Sequence, residues 1–133
     1  MESHELEVLC KYRRDQIMHL MEVSDLTRQL TEAVDRNDEV SVNLLLSMRE
    51  GPVQKLYEIE QRLQEYCLQL PEDTAIRSHA LLEGAGPEEQ GEETLYEKNA
   101  SYRRLLFSTL EDDKRLSLRL GGSKSFYRTF RES

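Results

Sequence analysis

Tryptophan is absent from this 133-residue chain, and glycine, proline and cysteine are sparse at six, three and two residues. So little glycine and proline argues against a turn-rich sheet protein and suits long helices. Two cysteines cannot build the disulfide framework of a small secreted domain, so Cys10 and Cys67, each inside an amphipathic stretch, are expected as reduced core residues of a cytoplasmic protein. No apolar run approaches the roughly 20 residues that span a bilayer, and the opening Met1-Glu2-Ser3-His4-Glu5 does not read as a signal peptide, so no membrane association is expected. The formal charge of −8 argues against nonspecific nucleic-acid binding by the whole domain.

Catalytic and metal-binding patterns are missing too. His4, His19 and His79 lie on three separate segments and share no ligand spacing with either cysteine. The acid pairs Glu92-Glu93 and Asp112-Asp113 are adjacent, so on a helix they point to different faces. Gly84-Ala85-Gly86 lacks the lysine and hydroxyl residue of a phosphate loop. No catalytic residue, cofactor or metal is expected, and the chain reads as an interaction protein rather than an enzyme.

What the chain does have is a heptad seam. Val42, Leu45, Arg49, Pro52, Leu56, Ile59, Leu63, Tyr66 and Leu70 follow one another in steps of three and four, which keeps them on one helix face. Arg49 and Pro52 are its two interruptions, and Glu58, Glu60, Arg62, Gln64 and Glu65 crowd its flanks with polar groups. Such a helix is built to meet another helix.

The spacing predicts an all-α chain with helices over about 3–36, 38–70 and 92–120 and a short helix or loop over 71–91. Leu6, Leu9, Cys10, Ile17, Leu20, Met21, Val23, Leu26, Leu30, Ala33 and Val34, at mostly helical spacing, mark the first helix. At a 1.5 Å rise it spans roughly 50 Å and needs partners along its length. Asn37 or Asp38 is suited to cap the second helix, and so short a link forces an antiparallel hairpin. Gly51-Pro52 predicts a kink in the second helix, the alternative being a true break, because proline loses a hydrogen bond and crowds the Met48 carbonyl.

Pro71 closes that helix, and Ala75, Ile76, Ala80, Leu81 and Leu82 suit a short one. Between Glu72 and Glu97 there are eight acidic residues against Arg77 alone, read as a solvated acidic connector with a mobile loop from Gly84 to Glu93. Leu95, Tyr102, Leu105, Leu106, Leu110, Leu116 and Leu120 stripe the last long helix, with Asn99 and Asp113 on the same seam. Polar residues there fix register or face solvent at a bundle end. Residues 1–120 are thus expected as a single helical-bundle domain, an antiparallel hairpin plus a third long helix, coiled-coil-like in its packing.

Gly121-Gly122 stops this helix and opens a tail expected to be flexible, 121–133, that is aromatic and basic in an otherwise acidic chain. From Lys114 to Arg131 there are six basic residues and no acidic one. Phe126, Tyr127 and Phe130 share a face if that segment is helical. The tail is either a binding element or a cap folded back on the bundle.

The stretch Leu30-Thr31-Glu32-Ala33-Val34-Asp35-Arg36-Asn37-Asp38-Glu39-Val40-Ser41-Val42-Asn43-Leu44-Leu45-Leu46-Ser47-Met48-Arg49-Glu50 resembles the interhelix region of flagellar export chaperones of the FlgN/FliT type, with Asp35 to Glu39 as the turn. The likeness extends loosely over Leu6–Leu70 and by pattern over Leu95–Leu120, while Gly51-Pro52 departs from that family's uninterrupted second helix. The resemblance implies a cytoplasmic chaperone for late export subunits, hook-associated or cap proteins, held by a helical C-terminal segment. It implies client contacts at Leu105, Leu106, Leu110, Leu116, Phe126, Tyr127 and Phe130, with Lys124 and Arg128 as rim charges. The rival expectation is a homo-oligomeric coiled-coil scaffold, or a regulator that wraps a partner helix.

Overall fold

The computed structural model describes residues 1–120, and these are all-helical: α1 (Ser3–Asp35), α2 (Glu39–Leu68), α3 (Glu72–Leu82) and α4 (Glu92–Leu120). The boundaries fall within two residues of those the spacing predicts, and 71–91 contains the short helix α3 followed by a loop. α2 continues through Pro52 without the break held as the alternative. Pro52 leaves the helix one backbone donor short without reversing it, and Gly51 has open space where a Cβ would sit. The described residues divide into two compact units, Met1–Met18 with Leu56–Arg104 and 19–55 with 105–120.

In the first unit, Leu6 and Leu9 of α1 pack with Leu63 and Cys67 of α2, Leu81 and Leu82 of α3 and Leu95 of α4. Leu9, Leu63, Leu81 and Leu95 are fully buried, and each such side chain stabilises the unit by about 1.5–3 kcal/mol. At its edge the rings of Tyr12 and Tyr66 lie 6.2 Å apart at 50°. α3 ends in a Schellman turn, with Gly84 at φ +105, its N–H donating to the Leu81 carbonyl and that of Ala85 to the Ala80 carbonyl.

This unit also buries an arginine that the sequence reading passed over. Arg13 donates through Nε to Asn99 Oδ1 at 2.7 Å, through Nη1 to Gln16 Oε1 at 2.7 Å and through Nη2 to the Leu82 carbonyl at 3.2 Å. Its guanidinium stacks 4.6 Å from the Tyr102 ring centroid. Asn99 in turn donates to the Leu81 carbonyl at 2.7 Å. Asn99 is therefore a buried register element, as a seam polar residue should be.

The solvated acidic connector needs correction at Glu92. Its side chain is 0% exposed and accepts hydrogen bonds from Arg77 Nη2 at 2.6 Å and from the backbone N–H groups of Glu88 and Glu89 at 3.0 and 3.3 Å. A carboxylate at the first residue of α4 meets the positive end of the helix dipole and gathers the loop amides around it. The 84–93 segment is thus tied to the helix it precedes. Arg77 and the loop amides hold the Glu92 carboxyl well below its ordinary value, at about 2.

In the second unit, Leu26, Leu30 and Ala33 of α1 pack with Leu45 of α2 and Leu116 of α4, and Val34, Val42, Leu46 and Leu120 cover that cluster. The α1–α2 link is a second Schellman turn, with Asn37 at φ +55, its N–H on the Val34 carbonyl and the Asp38 N–H on the Ala33 carbonyl. Asp38 caps α2: Oδ1 accepts from the Ser41 N–H at 3.1 Å, and the Ser41 hydroxyl donates to Oδ2 at 2.6 Å. These bonds lower the Asp38 pKa, the Ser41 hydroxyl contributing most.

Arg49, an interruption of the seam by its chemistry, is buried within this unit. It donates to Asp113 Oδ1 at 2.7 Å and to the Thr27 hydroxyl at 3.1 Å. Among the described residues every buried side-chain nitrogen and oxygen has a hydrogen-bond partner.

Candidate functional site

The most distinctive surface lies in the second unit, on the first half of α2. From Val40 to Met48 nine consecutive residues carry no charge, in a chain that is 33% charged. Val42 and Leu45 turn inward to the core. Val40, Leu44 and Met48 do not: they are 81%, 60% and 52% exposed. Steps of four place them on one line about 12 Å long. Single exposed apolar residues are ordinary, but these three form a continuous apolar strip with no charge between them. The segment holds more apolar side chains than one buried face can take up, and that excess is the signal in the sequence that the heptad seam overshadowed.

α4 adds two strongly exposed apolar residues to the same unit, Phe107 and Leu118, eleven residues apart and so on one face, with the charged Glu111, Lys114 and Arg115 between them on that face. Of the residues expected as client contacts, Leu105, Leu106 and Leu110 are half-buried and line this helix. Leu116 is different: it is 2% exposed and packed among Leu26, Leu30, Ala33 and Leu45, so it belongs to the core rather than to a contact surface. Phe126, Tyr127, Phe130, Lys124 and Arg128 lie outside the described residues.

The second unit also has two concavities. One, of about 360 Å³, opens at the α1–α2 turn and is walled by Val34, Val42 and Leu120 with Asn37, Asp38 and Glu39 around it. The other, of about 440 Å³, is lined by Leu116, Thr31 and the charged residues Arg28, Glu32, Arg115 and Arg119. Its arginines are engaged by carboxylates: Arg28 by Asp25 and Glu32, Arg115 by Asp112, and Arg119 by Asp35 at 2.5 Å.

Glu92 stays ionised down to about pH 2, and burial pushes the Tyr102 phenol up to about 12. Burial also raises the thiols of Cys10 and Cys67, both free, away from the thiolate form. His19 lies 3.6 Å from Glu22 on the same helix. Among the described residues no group of three or more His, Cys, Asp and Glu is placed to hold a metal ion. None of their helices is long and apolar enough to cross a membrane. A scan against protein-family models, a search of curated proteins and a search of solved structures each found no match to this chain.

Proposed function

We propose that this chain is a non-enzymatic, cytoplasmic binding protein that holds an amphipathic helical segment of a partner on its second unit, in the manner of the flagellar export chaperones its interhelix sequence resembles. The observation that carries the reading is the uncharged row Val40, Leu44 and Met48 on α2. A client helix that aggregates alone buries its apolar stripe against such a row, in the mode of helix-in-groove recognition. On this reading α1 and α2 form a hairpin, α4 lies along it as the third long helix, and Leu105, Leu106, Leu110 and Phe107 provide the second wall. Phe126, Tyr127 and Phe130 add contacts from the tail, with Lys124 and Arg128 at the rim. The client is the helical C-terminal segment of a hook-associated or cap protein.

The test is titration calorimetry of such a segment against the full chain and against Leu44→Glu/Met48→Glu. The expected result is at least a tenfold loss of affinity in the variant with the helical content unchanged. No binding to the full chain removes the client assignment, and equal binding by the variant removes the α2 surface.

The same exposed row supports a second reading, a homo-oligomeric coiled-coil scaffold in which Val40, Leu44 and Met48 are buried against another copy. Sedimentation decides between them. A monomer at micromolar concentration favours the client-binding reading. A stable dimer or tetramer that Leu44→Glu dissociates favours the scaffold.

A further inference from the structure

The concavity at the α1–α2 turn stands where the core of the second unit runs out. Val34, Val42 and Leu120 wall it, and each of them is only partly buried where it packs on the Leu26, Leu30, Ala33, Leu45 and Leu116 cluster. It is therefore a recess whose apolar wall is continuous with the core of the unit. About 360 Å³ is at the low end for binding pockets and has room for one or two aromatic side chains. Its rim is acidic, with Asp38 and Glu39 at the start of α2. The carboxyl of Asp38 is held in its charged form by the Ser41 hydroxyl and N–H.

Leu120, one wall of the recess, is also the last described residue, and thirteen residues follow it directly. Their chemistry is the complement of the recess. They carry Phe126, Tyr127 and Phe130 together with Lys124, Arg128 and Arg131 against Glu132 alone. Gly121 and Gly122 come first, and glycine permits the backbone conformations with which a chain reverses after a helix. Phe126 lies six residues past Leu120, a reach of at most about 20 Å, so the recess is within range of its ring. A short tether raises the local concentration to the millimolar range, so a contact far too weak to persist between separate molecules is formed within one.

We infer that the recess walled by Val34, Val42 and Leu120 is a docking site for this chain's own residues 121–133, taking the ring of Phe126 or Phe130 inside and Lys124 or Arg128 against Asp38 and Glu39. The inference does not depend on the chaperone reading. It concerns a resting place for the tail within a single molecule, whether or not a client is ever bound.

The absence of tryptophan makes the test direct. Phe126→Trp and Phe130→Trp, made separately in the full chain, each introduce a single indole whose emission reports its surroundings. The expected result is blue-shifted emission in at least one of them, with acrylamide quenching slowed about threefold relative to free indole and no dependence on protein concentration. Adding Val42→Lys in the wall, or the milder Glu39→Lys on the exposed rim, is expected to return the emission to that of a solvated indole while the helical circular dichroism is kept. Solvent-like emission from both single variants overturns the inference. So does protection that survives both recess variants, which places the ring elsewhere. Protection that grows with concentration alongside a rising sedimentation coefficient also overturns it, because the occupant is then a second copy.

Discussion

Arg49 on α2 and Asp113 on α4 form an ion pair of 2.7 Å with side chains 4% and 1% exposed. Two charges removed from water this completely are retained only when geometry and further hydrogen bonds offset the desolvation, and the Thr27 hydroxyl accepts one of them from Arg49. Asp113→Ala is expected to destabilise the protein by about 3–5 kcal/mol, because the guanidinium stays buried without its carboxylate. Arg49→Met combined with Asp113→Leu is expected to recover most of that loss. Urea unfolding of the wild type, both single variants and the double variant measures the cycle, and a double variant as weak as Asp113→Ala contradicts this account.

Asn99 serves two masters in the first unit, accepting from Arg13 and donating to the Leu81 carbonyl, both at 2.7 Å. Asn99→Leu keeps the branched shape and removes both bonds, leaving the buried Arg13 Nε–H without its acceptor, while the Leu81 carbonyl keeps the Gly84 N–H. The expected cost is about 1–3 kcal/mol. Asn99→Asp, which keeps an acceptor for Arg13, is expected to cost less. Denaturant midpoints rank the two.

Acid is expected to act through Glu92. Its folded pKa of about 2 lies below the ordinary 4.5, so its contribution is fully present above about pH 4.5 and is lost as pH falls from there toward 2. Glu92→Gln is expected to be less stable than the wild type at pH 7 and to close that gap progressively below pH 4.5. Thermal melts of both proteins between pH 2.5 and 7 show the convergence; a gap that holds constant across that range contradicts it.

The 84–86 loop offers a matched pair of glycines. Gly84 has φ +105, and the Arg103 guanidinium that donates to the Glu83 carbonyl lies where its Cβ would go. Gly84→Ala is expected to cost about 1–3 kcal/mol. Gly86 has nothing within 4 Å of that position, so Gly86→Ala is expected to be neutral or slightly stabilising. Both are read by the same unfolding experiment.

Helix type and the extent of the three long helices were legible because 3.6-residue periodicity survives in a chain with few interruptions, whereas the weaker pattern over 71–91 left a short helix and a loop both open. Pro71 and the Asn37-Asp38 pair marked two helix ends by ordinary turn chemistry. Burial of charge was not legible. Arg13, Arg49 and Glu92 become core residues only because Asn99, Asp113 and Arg77, distant in sequence, come to meet them. A periodicity reading sees each as a polar residue on a helix and cannot pair it. The α2 surface was half-legible: Leu44 and Met48 lie one step off the heptad seam, and only the unbroken lack of charge from Val40 to Met48 set them apart. The fate of Leu116 turned on which of several stripe leucines faced the interior, a question of packing rather than spacing.

Asn99 and Asp113 stand fourteen residues apart on α4, each receiving a buried arginine. Leucine seams are nearly indifferent to sliding by one heptad, since each leucine then takes the place of another. These two polar residues are not indifferent. A displacement of seven residues in either direction would bring Leu106 or Leu120 to the position of Asp113, and Leu106 or Glu92 to that of Asn99. Arg49 would then face a hydrocarbon side chain whichever way α4 moved. A helix that its leucines would allow to settle in any of several positions is thereby restricted to one, and the selection is made by the residues that contribute least to hydrophobic burial.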